Sequence, residues 1–288
     1  MPSVANCETN DDLNHCRKAK TDSLMQYAPS TNLSKYIKHY LLLEHTNSDK
    51  LRYRHFANGH CGLVFSFHKK ELVSLRSKNS LPQSFVFGQI SNYQEFFVEE
   101  SATVLIVLFQ PLGLFALTGI HTSMFTDQIE DASLVLGPGI SRLQERLCFS
   151  SDAIEMIGFL DSFFIEKFAD LSYDCSPYLL NFISIALQKK GNLLVKDVCN
   201  QIGVNERKIQ RLFSEQIGVS PKKFLNNMRL HAFLGLTKNQ SQNSLTVLGL
   251  EAGYYDQAHL IREFKKTVGF NPSTYLKSQR LAVNLIQI

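Results

Sequence analysis

At 288 residues the chain has room for two cores, and 44% hydrophobic residues with 21 Phe and 10 Tyr let it fold without disulfides or metal, which excludes a disordered chain. Its six cysteines form no C-x-x-C pair and no Cys/His cluster at metal-ligand spacing, so a reducing cytoplasm fits them. The net charge of +4 conceals a division at Pro177: residues 1–176 hold 15 Lys+Arg against 20 Asp+Glu (net −5), and residues 177–288 hold 15 against 6 (net +9), an acidic domain beside one suited to a polyanion.

Residues 1–28 are polar and aperiodic, which predicts a flexible lead-in. They lack the apolar core of a signal peptide. The longest apolar runs, such as 104–109, fall short of the ~20 residues a membrane span needs, so no membrane partner is expected. Leu33, Tyr36, Ile37 and Tyr40 at helical spacing predict a short amphipathic helix over 33–40. From 41 onward the segments LLLEH (41–45), GLVFSFH (62–68), ELVSL (71–75), SFVFGQI (84–90), YQEFFVE (93–99) and TVLIVLFQ (103–110) are short, β-branched or aromatic, and punctuated by Asn, Gly, Ser and Pro. They predict an antiparallel barrel or sandwich. Helical periodicity returns over 140–147 and 154–168, giving helices that cover the sheet or mediate self-association, and 29–176 is read as one β-rich domain. The fold class is therefore α+β in two domains, with an all-α domain over 177–288.

That second domain contains a duplication. VNERKIQRLFSEQIGVSPKKFLNNMR (204–229) aligns without a gap on YDQAHLIREFKKTVGFNPSTYLKSQR (255–280), at an offset of 51 residues. Ile209 with Phe213 and Leu260 with Phe264 are i, i+4 apolar pairs that must face inward. Gly218 and Gly269 stand where a helix closes on a left-handed residue. Ser220-Pro221 and Asn271-Pro272 each place an N-cap oxygen before a proline at the first helical position. Upstream of each copy, VKDVCNQIG (195–203) and LTVLGLEAG (245–253) read as a short helix ending in a tight turn, with small Cys199 or Gly249 leaving room for a crossing helix. Between the copies, 224–237 reads as one linker helix.

These residues resemble the AraC/XylS family of bacterial transcription regulators over roughly 190–280, most densely in AGYYDQAHLIREFKKTVGFNPSTYL (252–276). The resemblance implies two helix-turn-helix motifs on a shared helix, reading neighbouring major-groove segments of double-stranded DNA. Carried over position by position, it implies recognition helices over 206–214 and 257–266, with Arg207, Gln210 and Arg211 in the first and Gln257, Ala258, Ile261 and Arg262 in the second facing bases. Arg suits guanine O6/N7 and Gln suits adenine N6/N7, whereas Ala258 and Ile261 offer only apolar contact, as with a thymine methyl. Lys208, Lys222, Lys223, Lys265 and Lys266 are candidates for phosphate contacts, against the alternative of simple solvation. Arg211 and Arg262 have an alternative too, bracing carboxylates such as Glu215 or Glu251.

The first domain resembles a small cupin-like sensor of uncharacterised type through FANGHCGLVFSF (56–67), FVFGQ (85–89) and LIVLFQPLGLFALTGI (105–120). Enzymatic cupins carry an H-x-H pair with a carboxylate, but His39, His45, His55, His60 and His68 are scattered, and Cys7 and Cys16 lack partners for a zinc site. No catalytic residue, metal ligand or cofactor is assigned, and no enzyme is expected. Phe65, Phe67, Phe85, Phe87 and Phe109 are either core or the lining of a pocket. A small-molecule effector or protein partner at this domain, RNA polymerase, and a second copy of the chain remain candidate partners beside DNA.

Overall fold

Short, nearly continuous apolar runs form strands when both sheet faces can be covered, and that is how the first domain is built. The computed structural model describes residues 23–45, 51–68, 72–74, 80–98, 101–170, 173–239, 244–282 and 285–287. Its strands run β1 (Ser23–Tyr27), β2 (Ile37–His45), β3 (Leu51–Phe56), β4 (Gly62–His68), β5 (Val73–Ser74), β6 (Ser84–Phe87), β7 (Tyr93–Val98), β8 (Ala102–Phe109) and β9 (Ile129–Asp131). Helices α1 (Gly113–Thr118), α2 (Ala132–Leu136), α3 (Gly139–Cys148) and α4 (Ala153–Asp170) follow β8 and β9.

Among the described residues, a six-stranded antiparallel sheet of order β1-β2-β8-β4-β6-β9 faces a five-stranded one whose order begins with two C-terminal strands and ends β3-β7-β5. Strand β8 explains the arrangement. Val104 and Leu108 enter the core between the sheets, while Leu105, Val107 and Phe109 enter the core beneath α1, α3 and α4. Burial on both faces accounts for its unbroken apolar run, each large side chain contributing ~1.5–3 kcal/mol. The two sheets stay open, so the domain is a sandwich and not the closed barrel that short strands also allowed.

Three local expectations are corrected. Residues 31–33 form a 3-10 turn, and 37–40 belong to β2 instead of a helix. A register shift between Ile37 and His39 in the pairing with β8 puts Ile37 and Tyr40 in the same core. A β-bulge thus imitates helical spacing. Strand β1, paired with β2 from Ser23 to Tyr27, lies inside the expected lead-in, whose residues 1–22 fall outside the described ones. Strand β3 was not anticipated, because Arg52, Arg54 and His55 break its apolar pattern.

The helical part comprises α5 (Pro177–Gln188), α6 (Val195–Gln201), α7 (Glu206–Gln216), α8 (Pro221–Asn239), α9 (Leu245–Glu251), α10 (Gln257–Val268) and α11 (Pro272–Lys277). The duplicated positions build two matching cores. Ile209, Phe213 and Phe224 occupy the first, and Leu260, Phe264 and Tyr275 the second. Each core also takes one residue from the sandwich side, Leu112 and Phe56 respectively. Gly218 and Gly269 have φ of 93° and 84°, the left-handed closure that the repeat predicted. Ser220 Oγ accepts from Lys223 N at 3.2 Å, whereas Asn271 makes no side-chain cap bond. After α11 the chain forms β10 (Gln279–Ala282) and β11 (Leu285–Gln287), and β11 pairs antiparallel with β3. The last residues of the expected all-α segment therefore belong to the second sheet.

Candidate nucleic-acid interface

Helix α7 starts at Asn205, whose side chain accepts from Lys208 N at 2.8 Å, and α10 starts at Asp256, which accepts from His259 N at 2.6 Å. Each helix then buries one stripe. In α7 that stripe is Ile209, Leu212, Phe213 and Gln216, and in α10 it is Leu260, Phe264, Thr267 and Val268. The opposite faces are left to solvent. Arg207, Gln210 and Arg211 are exposed on α7, as are Gln257, Ala258, Ile261, Arg262, Lys265 and Lys266 on α10.

Neither duplicated arginine is committed to an internal partner. Arg211 is 67% exposed, and its Nε stands 3.9 Å from Glu215 Oε1, too long for a hydrogen bond and too wet for more than a few tenths of a kcal/mol. Arg262 lines a cleft of about 720 Å³ together with Gln210, His259, Asn226, Arg229 and Lys196. Gln210 from α7 and Arg262 from α10 therefore open onto one space, with α8 behind them. Ala258, Ile261, Arg262, Lys265 and Lys266 form a continuous patch on the outer side of α10. The packing of α9 on α10 is tight: a Cβ on Gly249 of α9 would stand 2.9 Å from Leu260 Cδ2, and Thr246 donates to Gln257 Oε1 at 3.0 Å.

The lysines differ in their freedom. Lys222, Lys265 and Lys266 are exposed, whereas Lys208 holds its ammonium 4.0 Å above the Tyr178 ring. Lys223 is half-buried; burial lowers its pKa and the neighbouring Lys266 adds to that, against Glu263 and Asp127. An anion placed between Lys223 and Lys266 would relieve their repulsion. Sequence reasoning passed over Lys196, Asn226 and His259, which line the cleft; their signal was only that they occupy polar positions beside the core residues of their helices.

In the sandwich, an internal space of about 90 Å³ separates the sheets, lined by Leu43, Tyr53, His55, Asn58, Phe96 and Leu285 among others. Phe85 and Phe87 line it as well, while Phe65 and Phe109 are core on the other face, so the alternating aromatics divide between the two readings. Burial, with a smaller push from His231, brings the His55 pKa down to about 4. His60 is neutral for a geometric reason: one ring nitrogen, Nδ1, donates to the Phe109 carbonyl at 2.8 Å and Nε2 accepts from Lys38 at 2.8 Å. Among the described residues no group of three or more His, Cys, Asp or Glu could hold a metal ion, and no helix is long and apolar enough to cross a membrane.

Residues 198–278 match the family model of a helix-turn-helix domain, the segment that holds both exposed helices and their linker. The C-terminal segment is an AraC-type helix-turn-helix domain. Residues 25–131 match a domain of unknown function (DUF6597), which spans most of the sandwich. An uncharacterized HTH-type transcriptional regulator of Haemophilus influenzae is 33% identical over 99 residues, covering 34% of this chain and 33% of that one. The HTH-type regulator YidL of Escherichia coli is 30% identical over 100 residues, 35% of this chain and 33% of its own. The chain thus spans about a third of the length of these curated relatives. A crystal structure of ToxT from Vibrio cholerae aligns over 82% of this chain and 97% of its own at 13% identity, with a TM-score of 0.46.

Proposed function

We propose that the chain is a sequence-specific DNA-binding transcription regulator and not an enzyme, acting in the cytoplasm and reading two adjacent major-groove segments. The observation that carries this reading is the shared opening of α7 and α10: Gln210 and Arg262 line one cleft while the outer faces of both helices remain exposed. Arg207, Gln210, Arg211, Gln257, Ala258, Ile261 and Arg262 are the base readers, and Lys208, Lys222, Lys223, Lys265 and Lys266 the phosphate contacts. Ala258 and Ile261 give the second helix an apolar surface suited to thymine methyls, so its polar discrimination rests on Gln257 and Arg262. A small molecule or a protein at the sandwich controls the reader, and RNA polymerase and a second copy of the chain are its further partners.

The test is binding of the full chain to duplexes selected from a random pool. Arg211→Ala and Arg262→Ala relax preference at separate positions by ~1–3 kcal/mol each, whereas Lys265→Ala weakens all duplexes alike and lowers the salt slope by ~1. Equal losses on selected and random DNA for all three variants would contradict the division into readers and positioners.

A further inference from the structure

Strand β3 faces two ways. Tyr53 and His55 line the space between the sheets, and Arg54, between them, reaches the helical domain. Its side chain is 9% exposed. Nε donates to Glu95 Oε1 at 2.9 Å, Nη2 completes the ion pair with the same carboxylate, and Nη1 donates to the Val268 carbonyl at 3.1 Å. The guanidinium lies 4.3 Å from the Tyr93 ring centre and 3.9 Å from that of Phe270.

Val268 is the last residue of α10, the second exposed helix, and Gly269 is its left-handed cap. Carbonyls of a last helical turn lack intrahelical partners and carry the negative end of the helix dipole, so a buried guanidinium is matched to them in charge and in donors. Asn92, with its amide turned to donate, reaches the Lys266 carbonyl of the same turn at 3.2 Å. A Cβ on Gly269 would collide with Arg54 and Tyr93, which leaves this cap no slack. The corresponding end of α7 is held differently, by neutral donors: Thr122 Oγ1 donates to the Glu215 carbonyl at 3.1 Å and Thr126 Oγ1 to that of Gly218.

We propose that Arg54, a residue of the sandwich domain, is a positioning residue for DNA reading: it sets the placement of α10 relative to α7, so the second half of the binding site is discriminated only while β3 holds that helix. The inference rests on the regulator reading above and gives it a control point. The residues that line the inter-sheet space and the residue that holds α10 are immediate neighbours on one strand, so a molecule packed against Tyr53 and His55 bears on α10 directly.

The experiment uses the full-length chain and the duplex it selects from a random pool, with every base pair of that duplex substituted in turn. Arg262→Ala assigns the second half. In the unaltered chain, substitutions in either half cost roughly tenfold in affinity. Arg54→Met combined with Glu95→Gln, which strands no buried carboxylate, retains the first-half penalties and reduces the second-half ones to within about twofold. Arg54→Lys, which keeps the cation and a donor for the Val268 carbonyl, gives second-half penalties between the two and serves as the test if the double variant fails to fold. Unaltered penalties in both halves, or equal loss in both, overturn the assignment to Arg54. Failure of the unaltered chain to select any duplex sinks the regulator reading itself, and the role of Arg54 in reading with it.

Discussion

Acid destabilises this fold through histidines that it keeps neutral. His55 lines the inter-sheet space, and burial with a smaller push from His231 lowers its pKa to about 4. His231 of α8 donates to the backbone of Ala57 in the sandwich, its Nε2 is buried without a partner, and burial together with Lys38 lowers its pKa to about 4 as well. An unfolded histidine titrates at about 6.5, so between pH 6.5 and 4 the unfolded chain binds protons that the folded one refuses. Stability from these groups is complete above that window and is lost as pH falls through it. At about pH 5 each histidine costs about 2 kcal/mol, and the pair about 3 to 4 because part of the His55 shift is the charge of His231. That is a large share of the ~5–15 kcal/mol that holds a domain. Urea unfolding at about pH 7.5 and about pH 5 measures it, with His231→Gln expected to recover about 2 kcal/mol of the difference. His60, whose pKa burial and then Lys38 push well below the ordinary histidine value, adds in the same direction. A midpoint that does not move between the two pH values in the unaltered chain refutes the argument.

Phe213→Ala removes a fully buried ring packed 4.8 Å from Phe182 and 5.6 Å from Phe224, and is expected to cost about 3–5 kcal/mol and to abolish binding by the first unit; an unchanged urea midpoint would show that the ring is not the centre of that core. Gly269→Ala combines a left-handed backbone with collision against Arg54 and Tyr93, and in urea unfolding should cost more than the open Gly203→Ala, which carries the backbone strain of ~1–2 kcal/mol alone. Leu285→Ala empties a position between the sheets and should destabilise by about 2–3 kcal/mol although no recognition residue is touched; thermal unfolding that matches the unaltered chain would detach the C-terminal strands from the sandwich.

The helix-turn-helix pair was legible because its signals are local. The cap at Ser220, closing glycines at 218 and 269, and i, i+4 pairs such as Ile209 with Phe213 and Leu260 with Phe264 each operate within a turn or two of chain, and duplication repeats the glycines and the pairs. The AraC/XylS resemblance placed Arg207, Gln210, Arg211 and Arg262 on the faces those pairs leave over, and all four are exposed. Strands β4, β6 and β8 were legible for a related reason, since nearly unbroken apolar and aromatic runs report two covered faces.

Local pattern alone therefore carried the duplicated helix-turn-helix and the apolar strands of the sandwich. Only the tertiary structure decided that Ile37 and Tyr40 share a face across a bulge, that LRYRHF is a strand, that Leu285 returns beside His55, and that Arg54 holds the end of α10. In each of these the partner lies far along the chain: residue 285 pairs with residue 55, and residue 54 meets residue 268. Contacts of that kind leave no periodicity in either segment, and a charged residue such as Arg54 becomes an interior residue only once a distant helix end supplies the carbonyl, and a neighbouring strand the carboxylate, that satisfy it.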